Sequence, residues 1–187
     1  MINTGCPTLW RLTSEFCHSI PMHKAKNVVT TIADYRPDEC RDNYMLEILS
    51  RNYENVYLWL QGSNDKEYLS KLNLPNNLII IPESLEAYEA QLKKGQIDYV
   101  GTRLHAGIFA LNHHIRSIII AVDNRAIEIA KDTNLPIVLR EQVQEILEER
   151  IVSDFSTEIN LNQKISTYLK LNSKIYEVNL YVKSEKQ

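Results

Sequence analysis

The sequence contains no Gly-x-Gly-x-x-Gly, no Gly-x-x-x-x-Gly-Lys-Ser/Thr and no Gly-x-Ser-x-Gly. Their absence removes the commonest dinucleotide, nucleoside triphosphate and serine hydrolase sites. Cysteine is sparse as well. Cys6, Cys17 and Cys40 are odd in number, and none stands in a Cys-x-x-Cys pair or near a matching histidine pair. Neither a disulfide framework nor a zinc site is expected, and a reducing, cytoplasmic setting fits. Long hydrophobic runs are missing too: the longest, 115–122, is broken by Arg116 and far too short to cross a bilayer. Residues 1–10 lack the basic and apolar regions of a secretory leader, so no transmembrane segment and no targeting segment are expected. Nor is there an excess of one charge. A formal net charge of -3 exerts no long-range pull on nucleic acid or anionic membranes, so any anion site must be local.

What is present is a chain of 187 residues, 44% of them hydrophobic and 24% charged. At that length roughly 70% of the unfolded chain's surface can be buried in a single domain. Apolar, β-branched runs alternate with helical patterns, the signature of βαβ units and a mainly parallel sheet. Strands are predicted over 27–34, 55–61, 78–81, 99–102, 117–122 and 137–139. Helices are predicted over 40–52, 65–72, 84–94, 104–113, 125–132, 141–150 and 161–171. Asp38 and Ser84 stand where N-caps belong, and Gly95 stands where a helix should stop. Pro75, Pro82 and Pro136 fall at strand entrances or exits, where a missing N–H is tolerated. The fold class is therefore α/β, doubly wound and Rossmann-like. Residues 1–26 read as an opening segment, 27–152 as the α/β domain and 153–187 as a helical C-terminal tail. The tail's apolar Ile165, Leu169, Leu171, Ile175 and Val178 have the spacing to pack on a partner or on a further domain.

The chemistry concentrates in Asp98-Tyr99-Val100-Gly101-Thr102-Arg103-Leu104-His105-Ala106, a strand-to-helix turn. In an open parallel sheet, ligands bind beyond the carboxyl ends of the strands. Gly101 permits a tight turn or the close approach of a ligand, and with Thr102 it leads into a helix N-terminus that presents unpaired N–H groups. Arg103 adds a planar donor suited to carboxylate or phosphate, and its cationic charge at a helix N-terminus calls for an anion. His105 can donate to the same anion or pass a proton near neutral pH; its alternative is a core histidine bonded to a backbone carbonyl. Arg36, after the first strand, should open on the same edge, either toward the anion or as a solvated arginine paired with Asp38 or Glu39. Asp123 and Asn124, after the fifth strand, are placed to bind a hydroxyl or, better, to cap the next helix. The adjacent His113 and His114 diverge on a helix, and His18 and His23 have no carboxylate at ligand spacing. No metal site and no cofactor is assigned.

The run from Asp98 to Ala106, continued by Gly107-Ile108-Phe109-Ala110-Leu111, an Ile-rich strand and Val122-Asp123-Asn124-Arg125, resembles the polysaccharide pyruvyl transferase family. The opening Asn3-Thr4-Gly5-Cys6-Pro7-Thr8-Leu9-Trp10 is similar to that family's mid-chain Cys-Pro-Thr segment. The resemblance implies the C-terminal half of a fold similar to the GT-B glycosyltransferases, with residues 1–26 as its interdomain linker. It implies a bacterial enzyme that transfers a pyruvyl ketal from phosphoenolpyruvate to a saccharide in cell-surface polysaccharide or exopolysaccharide synthesis. By the same implication Arg103 and His105 contact phosphoenolpyruvate and His105 is catalytic, with Arg36 a further substrate contact. The family's N-terminal α/β half has no counterpart in this sequence, so a homodimer or a separate N-terminal half is the expected partner. Two other readings stand beside this one: the nucleotide-sugar-binding half of a GT-B glycosyltransferase, and a catalytically silent binding or assembly module.

Overall fold

The structure, a computed structural model, describes residues 6–62 and 64–161. Six strands form one sheet: β1 (Asn27–Thr30), β2 (Val56–Trp59), β3 (Leu78–Ile81), β4 (Ile97–Gly101), β5 (Ser117–Ala121) and β6 (Ile137–Leu139). All neighbours are parallel, in the order β3-β2-β1-β4-β5-β6. The crossovers run through α2 (Glu39–Asn52), α3 (Asp65–Leu69), α4 (Leu85–Leu92), α5 (Leu104–Leu111) and α6 (Asn124–Thr133). A 3-10 turn, Pro7–Leu9, and α1 (Ser14–His18) precede the sheet, and α7 (Val143–Val152) follows β6. The doubly wound α/β architecture expected from the alternation is the one observed.

The period-2 strand pattern explains the two layers. Val29, Tyr99, Ile119 and Ala121 point into a cluster with Tyr88, Leu92, Ile108 and Leu111 of α4 and α5. Their chain neighbours Val28, Val100, Ile118 and Ile120 point into the opposite cluster with Met45, Leu49, Leu147 and Ile151 of α2 and α7. Alternate residues of a strand face opposite sides, so a run apolar at every position must be covered on both. The opening segment belongs to this core: Leu9, Leu12, Cys17 and Ile20 are buried in the first cluster.

Caps fall as the sequence predicts. Asp38 accepts from Arg41 N, Ser84 from Ala87 N, and Asp123 from Arg125 N and Ala126 N. Most boundaries shift by one or two residues, and two shift further. β1 ends at Thr30 rather than 34, because Thr31 O accepts from Thr102 N and Ala33 N donates to Thr102 Oγ1, drawing the chain out of the ladder. α3 ends at Leu69 rather than 72, where Ser70 Oγ donates to Glu67 O and competes with the helical backbone. Residues 154–160, which lie in the expected tail but before its predicted helix at 161–171, contain neither helix nor strand, and neither does Leu161. Phe155, Thr157 and Ile159 are buried at every second position there, a period of two that a helix cannot provide. The remainder of that predicted tail helix lies outside the described residues.

At the amino edge of the sheet Arg116 and Asp98, each 1% exposed, pair at 2.8 Å. Arg116 Nη2 also donates to the carbonyls of Arg150, Ile151 and Ser153 at the end of α7, and its Nε to Met22 O. Tyr53 Oη and Ala25 N donate to Asp98. A buried cation thus caps a helix C-terminus while its counter-ion is held by two further donors, which leaves the carboxyl edge of the sheet free for chemistry.

Candidate functional site

The strand order reverses between β1 and β4, which makes their carboxyl ends the topological switch point where open α/β sheets bind ligands. Four groups close a ring of hydrogen bonds there. Arg103 N donates to Thr31 Oγ1, Thr31 Oγ1 bonds Tyr99 Oη at 2.7 Å, and Tyr99 Oη donates to Arg103 O at 2.8 Å. Tyr99 is fully buried and its phenol is pushed well above the ordinary range by that burial. The ring holds the β4–α5 turn rigidly against β1.

Gly101 and Thr102 serve this junction. A Cβ at Gly101 would stand 2.7 Å from both Thr31 N and Thr31 Oγ1 and 2.9 Å from Tyr99 Oη. Glycine is required by the approach of the β1 backbone rather than by an unusual dihedral. Thr102 is buried, with its hydroxyl accepting from Ala33 N and donating to Thr31 O.

Arg103 begins α5 as its N-cap, without a side-chain cap bond, so among the described residues its side chain does not satisfy the first N–H groups of the helix. Two carboxylates of the chain itself already balance its charge at the helix N-terminus. Arg103 Nη2 pairs with Asp34 Oδ1 at 3.0 Å and Asp65 Oδ1 at 2.5 Å. Asp65 was not singled out in the sequence; it lies 38 positions away, and its other oxygen accepts from Gln61 N and Gly62 N. Arg103 Nε is buried and has no partner among the described residues.

His105 is exposed in the first turn of α5 and is not the carbonyl-bonded core histidine of the alternative reading. Burial of part of the ring, and then the charge of Arg125, lower its pKa from the ordinary histidine value. Arg125 is the second residue that sequence reading missed as a site group. It lies just beyond Asp123, in the first turn of α6, and with Tyr35, Arg36, Val122, Asp123 and Asn124 it lines an open cleft of about 690 Å³. Tyr35 Oη donates to Asp123 Oδ2 across that cleft at 3.3 Å. Arg36 is exposed, and neither Asp38 nor Glu39 takes it: Asp38 pairs with Arg41 at 2.6 Å instead. Its loop is anchored from below by Arg140, which donates Nη1 to Arg36 O and holds buried Asp42 at 2.7 Å.

The structure thus brings Arg36 and Arg125 to one cleft, with the β4–α5 turn between their loops because β4 lies between β1 and β5. Gly101, Thr102, Arg103 and His105 do not line that cleft; His105 is linked to it by the field of Arg125. The edge sets Arg36, Arg103 and Arg125 among Asp34, Asp65 and Asp123, the last 3.4 Å from Arg125 Nη2, so an anion would be met by guanidinium groups and the helix N-terminus rather than by a net positive field. A family model described as polysaccharide pyruvyl transferase matches residues 2–124, which include β1 through β5 and this turn. The chain belongs to the polysaccharide pyruvyl transferase family. Comparison with curated proteins gave no match. For this polysaccharide pyruvyl transferase homologue, the matched stretch ends at Asn124, so Arg125 and the Arg140 anchor lie outside it. Among the described residues of this family member, no helix is long and apolar enough to cross a membrane, and no three His, Cys, Asp or Glu side chains group to hold a metal ion.

Proposed function

We propose that this carboxyl edge binds phosphoenolpyruvate, and that the chain is the C-terminal, donor-binding half of a cytoplasmic pyruvyl transferase that builds ketals on a cell-surface saccharide. The observation that carries the reading is that Arg36 and Arg125 line one cleft, Arg36 with no carboxylate partner among the described residues and Arg125 3.4 Å from Asp123, near His105 and the α5 N-terminus. Phosphoenolpyruvate carries a carboxylate and a phosphate a few bonds apart, and two guanidinium groups on opposite loops match two anionic ends. Arg103 has committed Nη2 to Asp34 and Asp65 and does not line the cleft; its Nη1, which neither carboxylate takes, is the group left to meet the anion. Gly101 and Thr102 hold the turn on which these groups stand.

The reaction moves two hydroxyl protons. One ends on the methylene carbon, which becomes the methyl group of the ketal. The other leaves with the phosphate, while the two sugar oxygens bond to the carbon that phosphate departs. His105, neutral in the free protein because its pKa is lowered, takes up a proton beside the bound anion and can give one to the methylene carbon, a hydroxyl proton replacing it as the oxygen attacks. The arginines neutralise charge on the departing phosphate. A second α/β half, or a second copy of the chain, supplies the opposite wall and the saccharide contacts.

Calorimetric titration with phosphoenolpyruvate tests the reading. Removal of a charge-assisted contact, as in Arg36→Ala or Arg125→Ala, should weaken binding about 10- to 100-fold. Unchanged affinity in both variants, or binding of a nucleotide-sugar with none of phosphoenolpyruvate, overturns it.

A further inference from the structure

The Cys-Pro-Thr turn touches the site. Pro7–Leu9 docks on α5 at two points. Asn112 Nδ2 donates to Thr8 O at 2.9 Å near the end of the helix, and Cys6 Sγ stands 3.9 Å from His105 Nε2 at its start. Leu9 and Leu12, both buried, pin the turn between these points, and Leu9 N donates to Cys6 O. Cys6 Sγ also lies 2.9 Å from Thr8 Oγ1. The thiol therefore stands within reach of both a hydroxyl and an imidazole nitrogen, and the segment that carries the first two is held to the helix that carries the third.

We propose that Cys6 is a positioning residue for His105: its thiol occupies Nε2, with Thr8 behind it, and leaves Nδ1 as the nitrogen that handles the proton. A neutral imidazole has one donor nitrogen and one acceptor, and the partner of one ring nitrogen decides which tautomer is present. With Nε2 accepting from the thiol, the ring carries its proton on Nδ1. The contact is long for a thiol hydrogen bond, in keeping with catalytic hydrogen bonds that tighten only when substrate arrives. Here a residue nearly a hundred positions away in sequence orients the group that the proposed chemistry needs.

The inference rests on the reading of His105 as the proton-handling group, but its first test does not need a substrate. Nitrogen-15 chemical shifts of His105 in the ligand-free protein report the tautomer. The wild-type ring should be mainly Nδ1–H, Cys6→Ala should move it toward the Nε2–H form that an unrestrained imidazole favours, and Cys6→Ser should restore the wild-type state. The same tautomer in wild type and Cys6→Ala overturns the proposal. If Cys6→Ala fails to fold, methylthiolation of Cys6 in folded Cys40→Ser protein removes the S–H donor instead, and the same shift in tautomer is expected or its absence is decisive. In turnover, Cys6→Ala should lose about tenfold or more, as supporting hydrogen bonds to histidine typically cost, and its pH profile should move. Failure of phosphoenolpyruvate to bind the wild-type protein would sink the proposed function alone, because the tautomer is read without it.

Discussion

Asp65 holds Arg103 at 2.5 Å with a carboxylate side chain only 2% exposed. The ion pair ties the start of α3 to the start of α5 across the carboxyl edge of the sheet. Removal of one member of a buried pair leaves the other charge without compensation. Asp65→Ala should therefore destabilise the fold by about 3 kcal/mol, read as a lower urea midpoint. The same variant frees Arg103 from one carboxylate and should tighten phosphoenolpyruvate binding at temperatures where it stays folded. A midpoint equal to wild type would show that the pair carries no such weight.

Gly101→Ala puts a methyl group against a backbone nitrogen that cannot move aside. Overpacking of this kind costs about 1–3 kcal/mol, and here it should also open the ring of hydrogen bonds through Thr31 and Tyr99. Slow amide exchange at Arg103 and Thr102 is expected in the wild type and fast exchange in the variant. Equal protection in both would mean the turn does not depend on this close approach.

Arg116→Met removes the cation that pairs with Asp98 and donates to the carbonyls at the end of α7. The loss should be about 3–5 kcal/mol, since a buried carboxylate is left uncompensated. The thermal midpoint should fall accordingly, while phosphoenolpyruvate binding to the folded fraction stays intact, because the clamp sits at the opposite edge from the cleft. Loss of binding with stability unchanged would contradict this division of labour.

His105 should titrate below the ordinary histidine value, first because part of the ring is buried and second because Arg125 repels the protonated form. Arg125→Ala should raise its titration midpoint without restoring it fully, as carbon-13 or proton shifts of the ring can follow. The sign for stability follows from linkage. As pH falls through the unfolded value the unfolded chain takes up the proton first, so the contribution of His105 favours the folded state less toward acid. A bound anion acts oppositely on the ring and raises its pKa, so phosphoenolpyruvate should bind more tightly as pH falls toward 6 and should take up a proton on binding. A midpoint that ignores Arg125 would separate the histidine from the cleft.

Much of the fold was legible because it is written at short range. The β-branched runs specify strands covered on both faces, and Asp38, Ser84 and Asp123 mark helix starts through bonds to residues two or three positions ahead. The same local logic marked the β4–α5 turn as the place for chemistry. It was silent over 154–160, between two predicted helices, where Phe155, Thr157 and Ile159 are buried at every second position. It also failed for Arg125, a polar residue in an ordinary first turn until α6 is seen to place it beside Arg36.

From sequence alone came the order of strands and helices, the caps and the turn that starts with Gly101, because each depends on backbone dihedrals and on contacts a few residues apart. Only the tertiary structure decided what that turn is made of. Asp34 and Asp65, 69 and 38 positions away, neutralise Arg103. The β1 backbone explains Gly101, and the loops after β1 and β5 supply the paired arginines. Those partners meet because the sheet reverses its order between β1 and β4, and a sequence pattern with periods of two and 3.6 residues carries no record of which distant loops a folded sheet sets side by side.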